Sequence, residues 1–173
     1  VYMNAGADGS EIKDILISAK LLHRDGSVRE YKNSELGFGY RKTRLQEEGL
    51  IVLEAKFRFT KADPEQVLKK VKELKSKRSA TQPVNEKCAG CTFQNPPGRK
   101  AWELIEAAGF RGYAVNRAQV SEKHCNFLIN KGDATSSDML ELIRKIKEKV
   151  KEKSGIDLKC EWVLVNFDKF SLF

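Results

Sequence analysis

Residues 125–155 read CNFLINKGDATSSDMLELIRKIKEKVKEKSG, an apolar run followed by a long segment with helical periodicity. The run CNFLIN at 125–130 is typical of a buried strand. Thr135 is placed to cap the helix that follows, and Gly155 is placed to end it. One apolar stripe recurs at three- and four-residue intervals along this helix: Met139, Leu142, Ile143, Ile146 and Val150. The stretch therefore predicts a strand followed by an amphipathic helix.

The N-terminal half of the chain shows strand patterns before a helix pattern. Residues 14–31 (DILISAKLLHRDGSVREY) predict a β-hairpin that turns at the dipeptide 25–26, Asp-Gly. Residues 50–60 predict a third strand. A helix is expected from Pro64, with apolar positions at Val67, Leu68, Val71 and Leu74. The predicted order is three strands and a helix in the first half, and helix, strand, helix, strand in the second, so the predicted fold class is α+β.

A polar, proline-containing segment, SKRSATQPVNEK at 76–87, predicts a domain boundary near residue 80. Beyond it we expect a loop, a short helix over 100–108 that ends at Gly109, and a closing strand over 157–167. The predicted domains are therefore 1–80 and 81–173.

Composition narrows the class of protein. The chain has 173 residues, of which 40% are hydrophobic and 32% charged, and this suits a packed core with a polar surface. The net charge of +8 invites a nucleic-acid ligand. However, many lysines alternate with glutamates on predicted helices, a pattern typical of solvated helix faces. No apolar run is long enough to span a membrane. We therefore expect neither a nucleic-acid partner nor a membrane one.

The N-terminal sequence VYMNAGADGS has no opening methionine and lacks a secretory signal pattern. A strand-like stretch runs directly into a glycine-rich loop, which favours a piece of a longer protein. Without a secretory context, the four cysteines are expected as thiols in a reducing compartment.

Cys88 and Cys91 have C-x-x-C spacing, which three kinds of site share. Structural zinc needs a second ligand pair, and no pair drawn from His124, Cys125 and Cys160 has suitable spacing. A redox dithiol of the thioredoxin kind lies at a helix N-terminus, and the segment after Cys91 is not helical. Cys125 and Cys160 lie in apolar contexts and are expected to be buried.

Cys91 itself lies in a Gly-Cys-Thr-Phe turn that a ligand can approach closely. As a thiolate it would be a nucleophile, and as a thiol a proton donor. The residues alone leave these two roles open.

The chain resembles the MurB family of UDP-N-acetylenolpyruvoylglucosamine reductases, flavoenzymes of peptidoglycan precursor synthesis. The resemblance covers nearly the whole chain and is closest to the shorter subclass of the family. It rests on seven blocks in the order of the family: VYMNAGADGSEIKD at 1–14, FGYRKTRLQ at 38–46, TQP at 81–83, AGCTFQNPPG at 89–98, AWELIEAAGFRGYAV at 101–115, RAQVSEKHCNFLINKGDATSSDML at 117–140, and LKCEW at 158–162.

The resemblance implies that residues 1–80 are part of an FAD-binding domain and that residues 81–173 form a UDP-sugar-binding domain. The N-terminal flavin lobe of the family has no counterpart in the chain. The implied reaction is the reduction of UDP-N-acetylglucosamine enolpyruvate to UDP-N-acetylmuramate, with FAD and NADPH as cofactors. A cytoplasmic monomer without a metal is expected.

The resemblance also implies roles for individual residues. Cys91 stands where the family has a proton-donating serine, and a thiol, with a pKa of about 8.5, is a stronger acid than an alkyl hydroxyl. Glu161 matches the catalytic glutamate, and Arg41 matches the arginine that faces the substrate carboxylate. In this interpretation Cys88 has no role. The other implied contacts are Asn95 and Gln119 to the substrate, and Asn4, Ala5 and Gly6 to the flavin. Arg78 is expected to contact a substrate phosphate because of its charge and location.

Three departures from the family pattern accompany the resemblance. Gln94 replaces a lysine, Asp8 stands where an aromatic residue is common, and the R-x-x-G pattern after Glu161 is missing. Two alternatives to the reductase therefore stay open. One is a non-catalytic UDP-sugar-binding module of the same fold, and the less favoured one is a zinc-dependent nucleic-acid-binding domain.

Overall fold

A computed structural model describes residues 1–164 of the protein. The chain divides into two compact units, Val1–Pro64 and a second that starts at Glu65. Each unit combines helices with antiparallel sheet, so the α+β class is confirmed. The division between the two units lies at the start of the helix Pro64–Thr81, whereas the boundary predicted near residue 80 lies at its end. The assignment of FAD binding to 1–80 and of substrate binding to 81–173 stays a prediction, because compactness does not assign function.

The first unit is built on a three-stranded antiparallel sheet in the order β4-β3-β5. The predicted hairpin is confirmed, and Gly26 takes the positive φ of +81° that its turn requires. Six buried residues form its core: Leu16, Ala19, Leu21, Leu36, Leu45 and Leu50. The elements are β1 Gly6–Ala7, β2 Ser10–Glu11, α1 Ile12–Ile15, β3 Leu16–Leu22, β4 Val28–Lys32, a 3-10 turn at Asn33–Glu35, α2 Arg44–Glu48 and β5 Ile51–Phe57.

The second unit has a four-stranded antiparallel sheet in the order β6-β9-β8-β7. Its elements are α3 Pro64–Thr81, β6 Lys87–Cys91, α4 Ala101–Ala107, β7 Ala114–Val115, β8 Ala118–Val120, β9 Phe127–Asn130 and α5 Ser136–Ser154. α5 packs on β7, β8 and α4. The predicted cap is confirmed, since the Asp138 amide donates to Thr135 Oγ1 at 3.1 Å. Gly155 ends the helix with φ +72°.

The apolar stripe of α5 lies in the core of the second unit. Leu142, Ile143 and Ile146 are fully buried against Leu104 and Ile105 of α4 and the inner face of the sheet. Leu128 of β9 belongs to the same cluster. These contacts confirm the strand and helix predicted from residues 125–155.

The apolar stripe of α3 is solvent-exposed. The helix begins at Pro64 as expected, but it has no buried residue. The exposed fractions of Val67, Leu68 and Val71 are 47%, 60% and 40%. Helical periodicity shows that apolar residues share one face of a helix, but it does not show that another element packs on that face. The pattern alone therefore overestimated the burial of α3.

The expected closing strand is wrong for most of the part that the structure describes. Between 157 and 164 there is only one isolated antiparallel bridge, which joins Cys160 to Phe93. The remainder of the predicted strand, 165–167, lies outside the described residues. No helix among residues 1–164 is long and apolar enough to cross a membrane.

Truncation of an apolar side chain is expected to cost much more stability on α5 than on α3. Ile146→Ala on α5 is expected to lower the free energy of unfolding by about 2–5 kcal/mol, because it leaves a cavity in the core. Val71→Ala on α3 is expected to change it by no more than about 0.5 kcal/mol. Urea unfolding followed by circular dichroism measures both. Equal losses for the two variants would contradict the burial difference.

Candidate functional site

The strand that carries the C-x-x-C pair is interrupted by a bulge. Cys88 lies opposite Ile129 of β9, and Cys91 lies opposite Phe127, so three residue steps on β6 match two on β9. Gly90, inside the bulge, has φ +86°, a conformation that glycine adopts without strain. The interval that sequence analysis treated as loop is therefore an irregular strand that ends at Cys91.

Asn126 holds the backbone directly after Cys91. Its Oδ1 accepts from the Phe93 amide at 2.9 Å, and its Nδ2 donates to the Phe93 carbonyl at 2.8 Å. Its own carbonyl accepts from the Thr92 amide at 2.8 Å. Asn126 is 3% exposed, so these bonds are shielded from water. The role of Asn126 was not predicted, although an asparagine inside the apolar run CNFLIN was an available signal.

The backbone segment after Cys91 also forms hydrogen bonds with the segment around Glu161. The Glu161 amide donates to the Thr92 carbonyl at 2.8 Å, and the Gln94 amide donates to the Lys159 carbonyl at 2.9 Å. The Cys160 thiol also donates to the Thr92 carbonyl, at 3.3 Å. Glu161 therefore lies across from Thr92, one residue from Cys91. Since paired residues on adjacent strands lie about 5 Å apart, the two predicted catalytic positions are neighbours in space.

Two neighbouring cavities lie beside the sheet of the second unit. Gln119 lines a cavity of about 690 Å³, and Arg78 lines one of about 580 Å³. The cavities share Pro83, Val84 and Glu86. The fold thus brings together two of the three predicted substrate contacts.

The side chains that line these cavities suit an anionic ligand. Four basic residues contribute to the two linings: Lys75 and Arg78 in the smaller cavity, and Lys123 and Lys131 in the larger. Two carboxylates, Glu86 and Glu122, line them as well, and Lys131 pairs with Glu86 at 2.8 Å, so basic groups are in excess by two. Arg78 is oriented by Gln82, whose Oε1 accepts from Arg78 Nε at 3.1 Å. Gln119 donates to the Gly112 carbonyl at 3.0 Å and keeps a carbonyl oxygen for other contacts. Cationic groups around a cavity attract phosphate or carboxylate oxygens.

Asn95, the third predicted substrate residue, lines neither of these cavities. It is exposed, and its Oδ1 accepts from the Ala101 amide at 2.9 Å, where α4 begins. The structure therefore gives Asn95 a local role at a helix start, and its contact with substrate stays a prediction.

Arg41 lies in the first unit, at the tip of a tight turn. The Gly39 and Lys42 backbones bond to each other at 2.9 and 3.2 Å and close this turn around Tyr40 and Arg41. Arg41 has φ +53°, which is uncommon for a residue with a side chain. Its guanidinium carbon lies 5.5 Å from the Tyr40 ring centroid, within cation–π range. Backbone strain that displays a charged side chain is typical of functional turns.

Asn4 supports the turn that carries Arg41. It is fully buried, and its Nδ2 donates to the Gly39 carbonyl and to Glu11 Oε2, both at 3.1 Å. Its Oδ1 accepts from the Lys13 amide at 3.1 Å. Both amide hydrogens of Asn4 are therefore used inside the protein, so its side chain braces the turn, and the contact of Asn4 with a flavin stays a prediction.

The other two predicted flavin contacts, Ala5 and Gly6, stay predictions. Ala5 is exposed and small, and Gly6 is half-buried. A Cβ on Gly6 would lie 2.9 Å from Glu11 Cγ and 3.0 Å from the Ser10 carbonyl oxygen, so the local hairpin itself requires glycine.

Cys125 and Cys160 differ in burial. Cys125 is fully buried, and Cys160 is half-buried. Burial raises the pKa of both thiols. Among residues 1–164, no group of three or more His, Cys, Asp or Glu is arranged to hold a metal ion.

Known proteins are similar to this chain in sequence and in fold. A family model described as "UDP-N-acetylenolpyruvoylglucosamine reductase, C-terminal domain" matches residues 82–165. A UDP-N-acetylenolpyruvoylglucosamine reductase of Rickettsia conorii is 48% identical over 162 residues, which cover 94% of this chain and 54% of the relative. The chain belongs to the MurB family. The relative from Rickettsia prowazekii is 45% identical over 161 residues and is covered to the same 54%.

A MurB crystal structure from Thermus caldophilus shares the fold. It superposes with a TM-score of 0.81 at 36% sequence identity, covering 94% of this chain and 57% of that one. The chain thus spans about half the length of the MurB relatives it matches.

Proposed function

We propose that this chain supplies the substrate-binding half of a UDP-N-acetylenolpyruvoylglucosamine reductase, an oxidoreductase of peptidoglycan precursor synthesis. The observation that carries the proposal is the pairing of Thr92 with Glu161, which holds Glu161 beside Cys91 in the AGCTFQNPPG loop. A thiol and a carboxyl group carried on adjoining backbone segments suit a proton transfer to a carbon atom.

The proposed substrate is UDP-N-acetylglucosamine enolpyruvate, with its diphosphate attracted by the basic cavities that Arg78 and Gln119 line. Arg41 would bind the enolpyruvyl carboxylate, for which a guanidinium offers two parallel N–H donors. Asn95 remains a candidate contact to the sugar. These four residues would position the double bond for reduction.

Bound FAD, reduced by NADPH, would supply a hydride to the enolpyruvyl double bond, and Asn4, Ala5 and Gly6 would hold it, the last two through their backbone. Hydride addition leaves negative charge on the neighbouring carbon and its carboxylate. The Cys91 thiol donates its proton to that carbon. Glu161 would hydrogen-bond to the developing charge or relay a proton back to the Cys91 thiolate.

A UDP-sugar-binding module without turnover is the second candidate. It is favoured by one observation: every residue that lines the two cavities, Arg78 and Gln119 included, belongs to the second unit. The two candidates share the same ligand and differ in whether a flavin is reduced and reoxidised.

Calorimetric titration of the chain with UDP-N-acetylglucosamine enolpyruvate tests the shared ligand. We expect saturable binding, weakened about 10- to 100-fold by Arg78→Ala, because a charge-assisted hydrogen bond contributes roughly 1.5–3 kcal/mol. Arg144→Ala is the matched control, since Arg144 lies on α5 and pairs with Glu141 and Glu148. Equal weakening by both variants, or no binding by the unaltered chain, would contradict the proposed pocket.

A further inference from the structure

The bulge in β6 places both thiols of the C-x-x-C pair on one face of the sheet. Residues directly opposite each other on antiparallel strands point to the same face. Ile129 and Phe127 are two residues apart on β9, so they share a face. Cys88 and Cys91 lie opposite these two residues and therefore share that face as well. In a regular strand, residues three apart would point to opposite faces.

The expected Cα separation of the two cysteines lies at the upper limit for a disulfide. Their partners Ile129 and Phe127 are two residues apart on β9, which corresponds to a Cα separation of about 6.7 Å, and a similar separation is expected between Cys88 and Cys91. Disulfides bridge Cα separations of about 4.4–6.8 Å. Gly90 lies between the two cysteines with a positive φ, and a Cβ added to it would have no atom within 4 Å. This uncrowded segment can therefore close the remaining distance.

The thiols of the chain also differ in access to solvent. Cys88 is exposed, Cys91 and Cys160 are half-buried, and Cys125 is fully buried. The exposed member of the pair is the one that a small oxidant reaches first. Burial raises the pKa of the Cys125 and Cys160 thiols and so lowers their thiolate fraction.

We propose that Cys88 and Cys91 form a reversible intrachain disulfide when the protein meets a peroxide. The Cys88 sulfur attacks one peroxide oxygen, the O–O bond breaks, and a sulfenic acid and water form. The Cys91 sulfur then attacks the Cys88 sulfur, the S–O bond breaks, the S–S bond forms and a second water leaves. Two electrons pass from the two sulfurs to the two peroxide oxygens, and a dithiol reverses the step.

Proton donation by Cys91 leaves Cys88 without a role, whereas disulfide formation uses both cysteines. If Cys91 is the proton donor, as the proposed function requires, oxidation removes that proton and stops reduction of the substrate until the disulfide is reduced. Formation of the disulfide itself depends only on the geometry of β6.

Peptide mapping tests the disulfide without any measure of activity. The purified chain is treated with hydrogen peroxide, unfolded, labelled with N-ethylmaleimide and cut with trypsin. Cleavage after Lys87 and Arg99 isolates Cys88 and Cys91 in one peptide, 88–99, while 124–131 and 160–169 contain Cys125 and Cys160. Peptide 88–99 is expected to lose both maleimide labels, to become two hydrogen atoms lighter, and to regain both labels after treatment with dithiothreitol.

Two variants complete the test. Cys88→Ser is expected to abolish the lighter peptide. Cys160→Ser, which keeps a donor for the Thr92 carbonyl, is expected to leave it unchanged. The proposal is overturned if peptide 88–99 keeps both labels while 124–131 or 160–169 loses its own, or if the disulfide joins two chains. Because the readout is covalent, its failure is distinct from a failure of the ligand titration.

Discussion

Replacing Cys91 by alanine is expected to slow reduction of the enolpyruvyl substrate about 10²- to 10⁴-fold, the usual contribution of a positioned general acid. The measurement requires a full-length reductase that carries this chain as its C-terminal half. Transfer from NADPH to FAD should stay intact, because Cys91 has no proton to give in that step. Stopped-flow absorbance at the flavin band separates the two half-reactions.

Cys91→Ser is the matched variant, because a hydroxyl also carries a transferable proton. It is expected to retain substantial activity, in line with the serine that the family has at this position. If Cys91→Ala kept both half-reactions at the original rates, Cys91 would not be the proton donor. Loss of both half-reactions together would contradict a role of Cys91 that is limited to proton transfer.

Removal of the Asn126 side chain is expected to destabilise the second unit by about 2–4 kcal/mol, because it leaves the Phe93 N–H and carbonyl buried without their partner. Asn126→Ala should also loosen the segment after Cys91. We therefore expect faster alkylation of Cys91 by N-ethylmaleimide, measured on peptide 88–99 in a Cys88→Ser background. Urea unfolding measures the loss of stability.

Asn85 provides the control for Asn126, since it is an exposed asparagine in the same unit. Asn85→Ala should change the unfolding free energy by no more than about 0.5 kcal/mol and leave alkylation of Cys91 unaltered. Similar stabilities for the two variants would show that the bonds between Asn126 and Phe93 contribute little.

Sequence patterns predicted the elements whose signals are local. The stripe of α5, its threonine cap and its terminal glycine lie within one continuous stretch, and all three were confirmed. The Asp-Gly turn likewise predicted the hairpin of β3 and β4. Helical periodicity also predicted α3, but the same signal could not show that Val67 and Leu68 would be exposed.

The candidate site was only partly accessible to sequence reasoning. Resemblance to the MurB family was needed to select Glu161 and Arg41, which otherwise look like ordinary charged residues of a basic chain. The brace that Asn4 makes to Gly39 was not predicted, because it joins residues 35 positions apart. The short strands β7 and β8 have only two and three residues, too few for a periodic signal.

The sequence by itself determined the α+β class, the long helix α5, the hairpin and the family to which the chain belongs. Only the tertiary structure decided that Thr92 pairs with Glu161, that Arg78 and Gln119 line neighbouring cavities, and that the bulge at Gly90 turns Cys88 and Cys91 to one face. Helices and turns are specified by residues a few positions apart. Strand register and bulges depend on partners distant in the chain, so a one-residue change in pairing reverses the face of a side chain while leaving the sequence pattern unchanged.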